Sequence, residues 1–494
     1  MLVKTEADEI QSYLSDASYM LGGYADRVAL PETISDVVEI VSTADRTRTP
    51  LTVSGAGTGT VGGRVAFGGI VLATDRLNQI STVVRNQDGT GHAIVGPGVI
   101  LSDLQEAVEK EDLLYPPDPT EKGCFIGGNV ATNASGARTF KYGPTRNYIN
   151  RLKVVLANGE LLNLRRGDLR ASSDGVIRIP LSNGEHLEAQ MPKYQMPHTR
   201  KNAAGYFVKP DMDVVDLFIG SEGTLGVVVE IEVRLIARPE GLLSGVVFFE
   251  READVLEFVG EARAKSLQNR LSGQGGALDA RALEFFDRES LNFLRGKYPT
   301  VPETAVGAVF FEQEIDASSE DALLNEWLAL TEAHQASADS WFANNPQDHE
   351  RLREFRHQLP VLMNEWFAKY EQRKVSTDMA VPDEEFAGML RLYQETLASS
   401  GLRYTIFGHI GDNHVHVNIL PRDDGEGARA RGLYVEFLKY AAAHGGTLSA
   451  EHGVGKLKRD YLKYFYSDGQ LQEMRELKRA FDPNFILSPG NLIN

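Results

Sequence analysis

The chain is 494 residues long, more than one ordinary core supports, and its 42% hydrophobic and 24% charged residues are the proportions of a folded protein of two or three domains. A formal net charge of −18 excludes a general grip on nucleic acid, which needs Lys and Arg to neutralise phosphates, and any broad attraction to anionic lipid, so an anionic substrate requires a local basic pocket. Cys124 is the only cysteine, which excludes an intrachain disulfide, a Cys-ligated iron–sulfur cluster and a Cys-x-x-Cys-His haem attachment.

Met1 to Gly22 carries Glu6, Asp8 and Glu9 where a signal peptide would have an apolar core, and no apolar run approaches the ~18 residues of a membrane span, so a cytoplasmic location is expected. Pro31 to Ala44 reads as a helix with apolar Val37, Val38, Ile40 and Val41, followed by a short buried strand at Pro50 to Val53. Then comes Ser54-Gly55-Ala56-Gly57-Thr58-Gly59-Thr60-Val61-Gly62-Gly63. Its glycines permit positive φ and close backbone approach, so successive N–H groups can wrap an anion such as a pyrophosphate. Gly57-x-Gly59-x-x-Gly62 with Asp75 downstream formally matches a dinucleotide fingerprint, but only Arg64 to Gly69 separate it from the strand-like Ile70 to Thr74, too few for a crossover helix. No Lys-Ser or Lys-Thr follows, which removes the Walker reading.

A helix is predicted over Leu101 to Lys110, then Tyr115-Pro116-Pro117-Asp118-Pro119. A second glycine and small-polar stretch follows at Ile126-Gly127-Gly128-Asn129-Val130-Ala131-Thr132-Asn133-Ala134-Ser135-Gly136. A third, Ile219-Gly220-Ser221-Glu222-Gly223-Thr224-Leu225-Gly226-Val227-Val228, precedes the strand pattern Val229 to Ile236. These three stretches, in order and with Pro116-Pro117-Asp118 between the first two, resemble the FAD-binding oxidoreductases of the vanillyl-alcohol oxidase type. The resemblance implies an α+β protein: a two-subdomain FAD-binding domain and an α+β substrate domain. It implies pyrophosphate contacts at Gly55, Gly57, Thr58, Gly59 and Thr60. Further cofactor contacts are implied at Pro117, Asp118, Gly127, Thr132, Ser135, Gly136, Glu222, Gly226 and Val228. FAD is expected to bind noncovalently, since nothing marks Cys124 as an attachment point.

The FAD-binding domain is expected over residues 1–240, with a polar insertion at about 160–214 whose Asp174-Gly175 and Asn183-Gly184 suit hairpin turns. Lys201-Asn202-Ala203-Ala204-Gly205-Tyr206 closes it and looks like a motif of the family. Residues 241–460 are expected to form the substrate domain. Its predicted order is strand Gly245 to Glu250, helix Ala253 to Gln268, strand Ala305 to Glu314 and helix Ser319 to His334. Strand Thr377 to Val381, helix Glu384 to Leu397, and strands Arg403 to His409 and Val415 to Leu420 follow. This alternation fits an antiparallel sheet covered by helices on one side. The tail, 461–494, is similar to the family segment that returns to the flavin domain.

Gly408-His409-Ile410-Gly411-Asp412-Asn413-His414-Val415-His416-Val417-Asn418 and Ala450-Glu451-His452-Gly453 supply imidazoles and a carboxylate. Gly411 and Asp412 favour a turn, so His409 and His416 can converge on one divalent ion, with Glu451 as third ligand and His452 left as a base; imidazole and carboxylate suit zinc, manganese and iron alike, and the resemblance implies zinc or manganese. The competing reading is a polar strand face, on which His414, His416 and Asn418 alternate to one side and hydrogen bond to other groups. Within the family this segment looks like the branch of D-lactate, glycolate and D-2-hydroxyglutarate dehydrogenases. Its usual Gly-Asp-Gly-Asn-x-His reads Gly411-Asp412-Asn413-His414-Val415-His416 here, so His414 is an extra imidazole.

The resulting expectation is an FAD- and metal-dependent dehydrogenase of a D-2-hydroxy acid, with Arg356, Lys374 and Asn418 as substrate contacts; Arg373, Ser376 or Thr377 are alternatives to Lys374. Electrons are expected to pass to a quinone, a cytochrome or an electron-transfer flavoprotein. A homodimer and an association with the inner face of the membrane are compatible with this reading. The alternatives are a metal-independent flavin oxidase or synthase on another alcohol or ether, a flavin subunit of a larger oxidase, and a zinc hydrolase whose glycine loops merely turn.

Overall fold

A computed structural model describes residues 1–273, 275–343 and 345–493. The helix Ile34–Thr47 shows how local sequence sets the first layer. Val37, Ile40, Val41 and Ala44 recur on one buried face, and Thr33 and Asp36 form a reciprocal capping box at its start. That face packs on a four-stranded sheet in which Arg27–Leu30, Ile70–Ala73 and Leu51–Ser54 run parallel and Leu2–Lys4 adds an antiparallel edge. The parallel pair Leu51–Ser54 and Ile70–Ala73 is joined by the glycine loop itself, with no helix in the crossover.

The second layer is antiparallel. Its strands Ile80–Arg85, Gly91–Val95, Val227–Ala237, Ile149–Val155 and Leu161–Arg165 lie in that spatial order, and Leu113–Leu114 also pairs with Val227–Ala237. In the polar excursion only Asn183-Gly184 joins two paired strands, Val176–Pro180 and His186–Gln190; Asp174-Gly175 turns the chain into the first of them. The tail returns to the first sheet. Leu51 donates to the Ile486 carbonyl at 2.8 Å and Ser488 to the Leu51 carbonyl at 2.7 Å. The fully buried Lys478 donates to the carbonyls of Thr224 and Leu487 and to Asp482.

The third layer is a seven-stranded antiparallel sheet with Gly241–Phe249, Gly307–Ile315, Ala280–Asp287, Tyr404–Gly408 and His416–Ile419 at its centre, Trp341–Phe342 at one edge and Val375–Ser376 at the other. Helices lie on both faces rather than one. Val247, Phe249, Phe285 and Phe311 meet Phe258 and Trp327 of helices Glu252–Ser272 and Glu320–Ala333, whereas Val246, Phe248, Phe286 and Phe310 meet Leu291, Leu352 and Phe355 of helices Arg288–Arg295 and Pro346–Tyr370. Because both faces are covered, all eight residues of Ala280–Asp287 are buried and that strand has no polar side to betray its period of two. The strand expected at Thr377 to Val381 is only Val375–Ser376, extended by a single bridge from Ala380 to Thr447. Among the described residues no helix is long and apolar enough to cross a membrane.

Candidate active site

The three glycine stretches close around one cavity of about 410 Å³. Gly55, Gly57, Thr58, Gly59 and Thr60 form one wall, Gly127, Thr132, Ser135 and Gly136 another, and Glu222, Gly226 and Val228 a third. Pro117 and Asp118 lie behind it, and Pro119, Thr120 and Glu121 take their place in the lining. The Asp118 carboxylate is turned onto Arg138, Lys122 and Gln105. Its carbonyl packs under Gly136, where a Cβ would come within 2.1 Å.

The first wall has the chemistry of a pyrophosphate cradle. Gly57 has φ +82°, and a Cβ there would lie 2.5 Å from the Arg64 guanidinium, so the loop can rest on this cation only as glycine. Arg64 is fixed there by the carbonyls of Gly55 and Ser15, each at 2.7 Å. A Cβ on Gly59 or Gly128 would meet nothing within 4 Å, so both open onto the cavity. Backbone amides backed by a half-buried cation suit a dinucleotide phosphate, and the donor set therefore fits FAD.

At its far end the cavity reaches Glu451 and His452. Glu451 Oε2 lies 3.2 Å from His409 Nε2 and 3.4 Å from His416 Nε2, and its Oε1 accepts from Ser135 and Lys201, both at 2.8 Å. The ligand atoms of His409, His416 and Glu451 all lie within 4.8 Å of one another. His409 Nδ1 is held by Glu284 at 2.7 Å and His416 Nδ1 by the Thr377 carbonyl at 3.0 Å, so each ring turns Nε2 toward Glu451. Two imidazoles oriented through their other nitrogens, beside a carboxylate, are the donor set of a divalent metal centre, and these residues fit one.

The charges around this cluster form a chain. Burial alone would raise the Glu284 carboxyl, but Arg356 at 3.1 Å and His409 outweigh it and hold it at about 2. Burial would lower His409, and Glu284 with Glu451 outweigh that, raising it to about 9. Lys201, 2% exposed, sits between Glu451 and Asp412 (3.1 Å) and keeps its proton because those two carboxylates outweigh its burial.

His452 is oriented by Asp378. Its Nδ1 is 3.3 Å from Asp378 Oδ2, and the same carboxylate accepts from Lys458 at 2.7 Å, from Ser449 and from the amides of Glu451 and His452. Burial would raise Asp378, but His452 and Lys458 more than offset it and hold the carboxyl well below its usual range. A further buried carboxylate, Glu222, accepts from the amides of Val454 and Gly455, both at 2.7 Å, and so ties the third glycine stretch to the loop carrying Glu451 and His452. Burial pushes Glu222 up to about 7 against those two hydrogen bonds.

The three residues expected at the substrate are placed differently. Asn418 lies on the same strand face as His416, is 2% exposed, and its amide nitrogen has no hydrogen-bond partner among the described residues. Arg356 is committed to Glu284, and Lys374 stands just before the edge strand Val375–Ser376, with burial of its ammonium lowering its pKa. His414 is outside the strand, which begins at His416, because Asn413 turns the chain with φ 52°. Sequence reasoning gave no role to Asp378, Glu284, Ser449 or Lys458. Ser449 and Lys458 flank the Ala450-Glu451-His452-Gly453 segment and Asp378 follows Arg373 to Thr377, so their neighbourhood was in view, whereas only the fold brings Glu284 to the cluster. Lys201 had a signal in the Lys201-Asn202-Ala203-Ala204-Gly205-Tyr206 motif.

Residues 25–165 match the family described as an FAD binding domain, and residues 270–492 the family described as FAD linked oxidases, C-terminal domain. A D-lactate dehydrogenase of Anaerostipes hadrus is 31% identical over 98% of this chain and 93% of its own length. The chain belongs to the FAD-linked oxidases. A glycolate oxidase subunit of Bacillus subtilis is 29% identical (97% of this chain, 91% of the relative), as is a D-2-hydroxyglutarate dehydrogenase of Stutzerimonas stutzeri (99% and 96%). Among solved structures, p-cresol methylhydroxylase superposes with a TM-score of 0.72 at 16% identity, covering 100% of this chain and 94% of that one. A 4-ethylphenol oxidase of Gulosibacter chungangensis gives 0.70 at 19%, covering 99% and 94%. These FAD-linked oxidase relatives and fold neighbours bear out the flavoenzyme resemblance and the fold class. The protein is an FAD-dependent oxidoreductase.

Proposed function

We propose that this FAD-linked oxidase oxidises a D-2-hydroxy acid of the lactate, glycolate or 2-hydroxyglutarate type to the 2-oxo acid, with a divalent metal at His409, His416 and Glu451 and an external electron acceptor. The observation that carries the reading is the meeting of the glycine-walled cavity with Glu451 and His452 at its far end. The names of the three curated relatives support the substrate class.

When bound, FAD supplies a hydride acceptor and the metal a Lewis acid that lowers the pKa of a coordinated hydroxyl. The chain's part is orientation and proton handling. With Nδ1 turned to Asp378, His452 offers Nε2 to the substrate hydroxyl and takes its proton. Lys458, Ser449 and two amides keep Asp378 ionised, which stabilises the imidazolium so formed. The unpaired Asn418 amide is the donor for a substrate carboxylate oxygen, and positioning between it and His452 fixes the acid for reaction. Noncovalent FAD is favoured by Cys124: burial pushes its thiol up to about 11, so little nucleophilic thiolate exists near neutrality. In this scheme residues 1–240 bind FAD, 241–460 bind substrate and metal, and 461–494 close back on the flavin part.

The test is anaerobic mixing of metal-replete protein with D- and L-2-hydroxy acids while the visible flavin absorbance is followed, before and after EDTA. Bleaching by a D-acid that EDTA abolishes is the expected result. Bleaching that survives EDTA would leave the flavin chemistry and remove the metal from it, and a flavin that no acid bleaches would move the substrate to another alcohol.

A further inference from the structure

We propose that Lys201 and Ser135 are positioning residues that hold Glu451 to a single ligand oxygen, and that the coordination position they keep free is the one a chelating 2-hydroxy acid needs; this rests on the metal reading above. A carboxylate can grip an ion through one oxygen or both. Here the two oxygens are engaged differently. Oε1 accepts from the Ser135 hydroxyl and the Lys201 ammonium, each at 2.8 Å, whereas Oε2 faces Nε2 of His409 at 3.2 Å and of His416 at 3.4 Å. Two donors fill the lone pairs of Oε1, which leaves Oε2 as the ligand atom.

Both donors are held in place. The Lys201 side chain has no exposed surface, and its ammonium also donates to the Gly136 carbonyl at 3.1 Å and pairs with Asp412 at 3.1 Å, so oxygens from three separate segments fix it. Ser135 is 5% exposed and belongs to the second glycine stretch. The imidazole of His416 is fixed in the same sense. The Thr377 carbonyl can only accept, so His416 carries a proton on Nδ1 and turns Nε2 to the ion.

A catalytic zinc with three protein donors keeps a fourth position open and can expand to a fifth. A 2-hydroxy acid bound through its hydroxyl and a carboxylate oxygen uses both, and a second Glu451 oxygen would take one of them. Lys201 and Ser135 thereby select acids that carry a second oxygen donor beside the carboxylate over simple carboxylic acids.

The test uses full-length, FAD-loaded, metal-stripped wild type, Lys201→Met and Ser135→Ala. Each is titrated with zinc and with cobalt(II) against a competing chelator, and the cobalt form is then titrated with oxalate, which takes two positions, and with azide, which takes one. Flavin content and thermal midpoint report whether each variant is folded. Were the two residues mere support for the fold, their loss would weaken metal binding by about 10–100-fold, as changes around metal ligands do. The expected result is the reverse. Lys201→Met should bind zinc and cobalt as tightly as the wild type or more tightly, because the second Glu451 oxygen joins the ion and a neighbouring positive charge is gone. It should also shift the visible cobalt bands and weaken oxalate by about 10-fold while azide changes less. Ser135→Ala, in which Lys201 still holds Oε1, should move the same way by a smaller factor. On the unmodified protein, X-ray absorption of the zinc form should show a carboxylate bound through one oxygen, a readout that needs no variant to fold. A carboxylate bound through both oxygens there, a loss of metal affinity in the folded variants, or oxalate and azide weakened equally would overturn the role of Lys201 and Ser135 alone. A wild type that takes up neither metal would overturn the metal reading itself.

Discussion

Replacing His452 by Asn removes the imidazole that Asp378 orients while leaving a polar side chain in its place. Turnover should fall about 10²–10⁴-fold, the range of a positioned acid–base group, with flavin content unchanged; the rate of anaerobic bleaching measures it, and a wild-type rate would take His452 out of the proton transfer. Lys201→Met tests the buried charge chain. It leaves Glu451 and Asp412 without their cation, which for a broken buried pair costs ~3–5 kcal/mol, so the urea midpoint of the metal-free protein should drop sharply. A bound divalent ion restores positive charge beside Glu451, so the loss should be smaller in metal-loaded protein. The residues legible in sequence were those whose chemistry leaves no substitute: Gly57, which lies on Arg64, and His409 and His416, grouped by a turn. Arg356 illustrates the opposite case. A lone cation in a sequence does not say which carboxylate will reach it first, and the fold gave Arg356 to Glu284.

The helix Arg288–Arg295 begins at Asp287, a buried carboxylate that accepts from the amide and hydroxyl of Ser290. Burial, with Glu289 adding to it, pushes this carboxyl up to about 7 against those hydrogen bonds. The folded protein therefore holds the proton more tightly than the unfolded chain does. That contribution to stability is complete below about pH 4 and is lost as the pH rises through 7, a swing of roughly 2–3 kcal/mol between pH 5 and 8. Asp287→Asn cannot titrate, so its stability relative to the wild type should improve by about that amount over the same interval, as denaturant unfolding at the two pH values would read. A difference that does not change with pH would place the ionisation elsewhere. Among the elements, Ile34–Thr47 was legible because its apolar stripe follows an uninterrupted helical period. The 25-residue helix Pro346–Tyr370 was not seen, although Leu352, Phe355, Leu359 and Met363 carry the same stripe and Asn345-Pro346 starts it, because Pro360 reads as a breaker. Helix Asp424–Ala443 was hidden by Gly425, Gly427 and Gly432.

The tail belongs to the scale of the whole molecule. Ile486, Leu487 and Ser488 extend the edge strand of the first sheet, and Asn491 donates to the carbonyls of Gly63 and Glu222, so residues nearly the full chain length apart share one wall. Ending the chain after Phe485 should release flavin, read as a fall in visible absorbance relative to protein; a truncated protein with full flavin content would make the tail a mere cover. Helices on one face of the third sheet were expected because alternation in sequence says that a strand is followed by a helix, without saying on which side it lies. The hydrogen bonds from Val454 and Gly455 to Glu222 have a further consequence. A dinucleotide against Glu222 and an ion on Glu451 would press on the same five residues, so each would alter the other's affinity by an equal factor, and the enzyme would mature by loading two cofactors in mutual dependence.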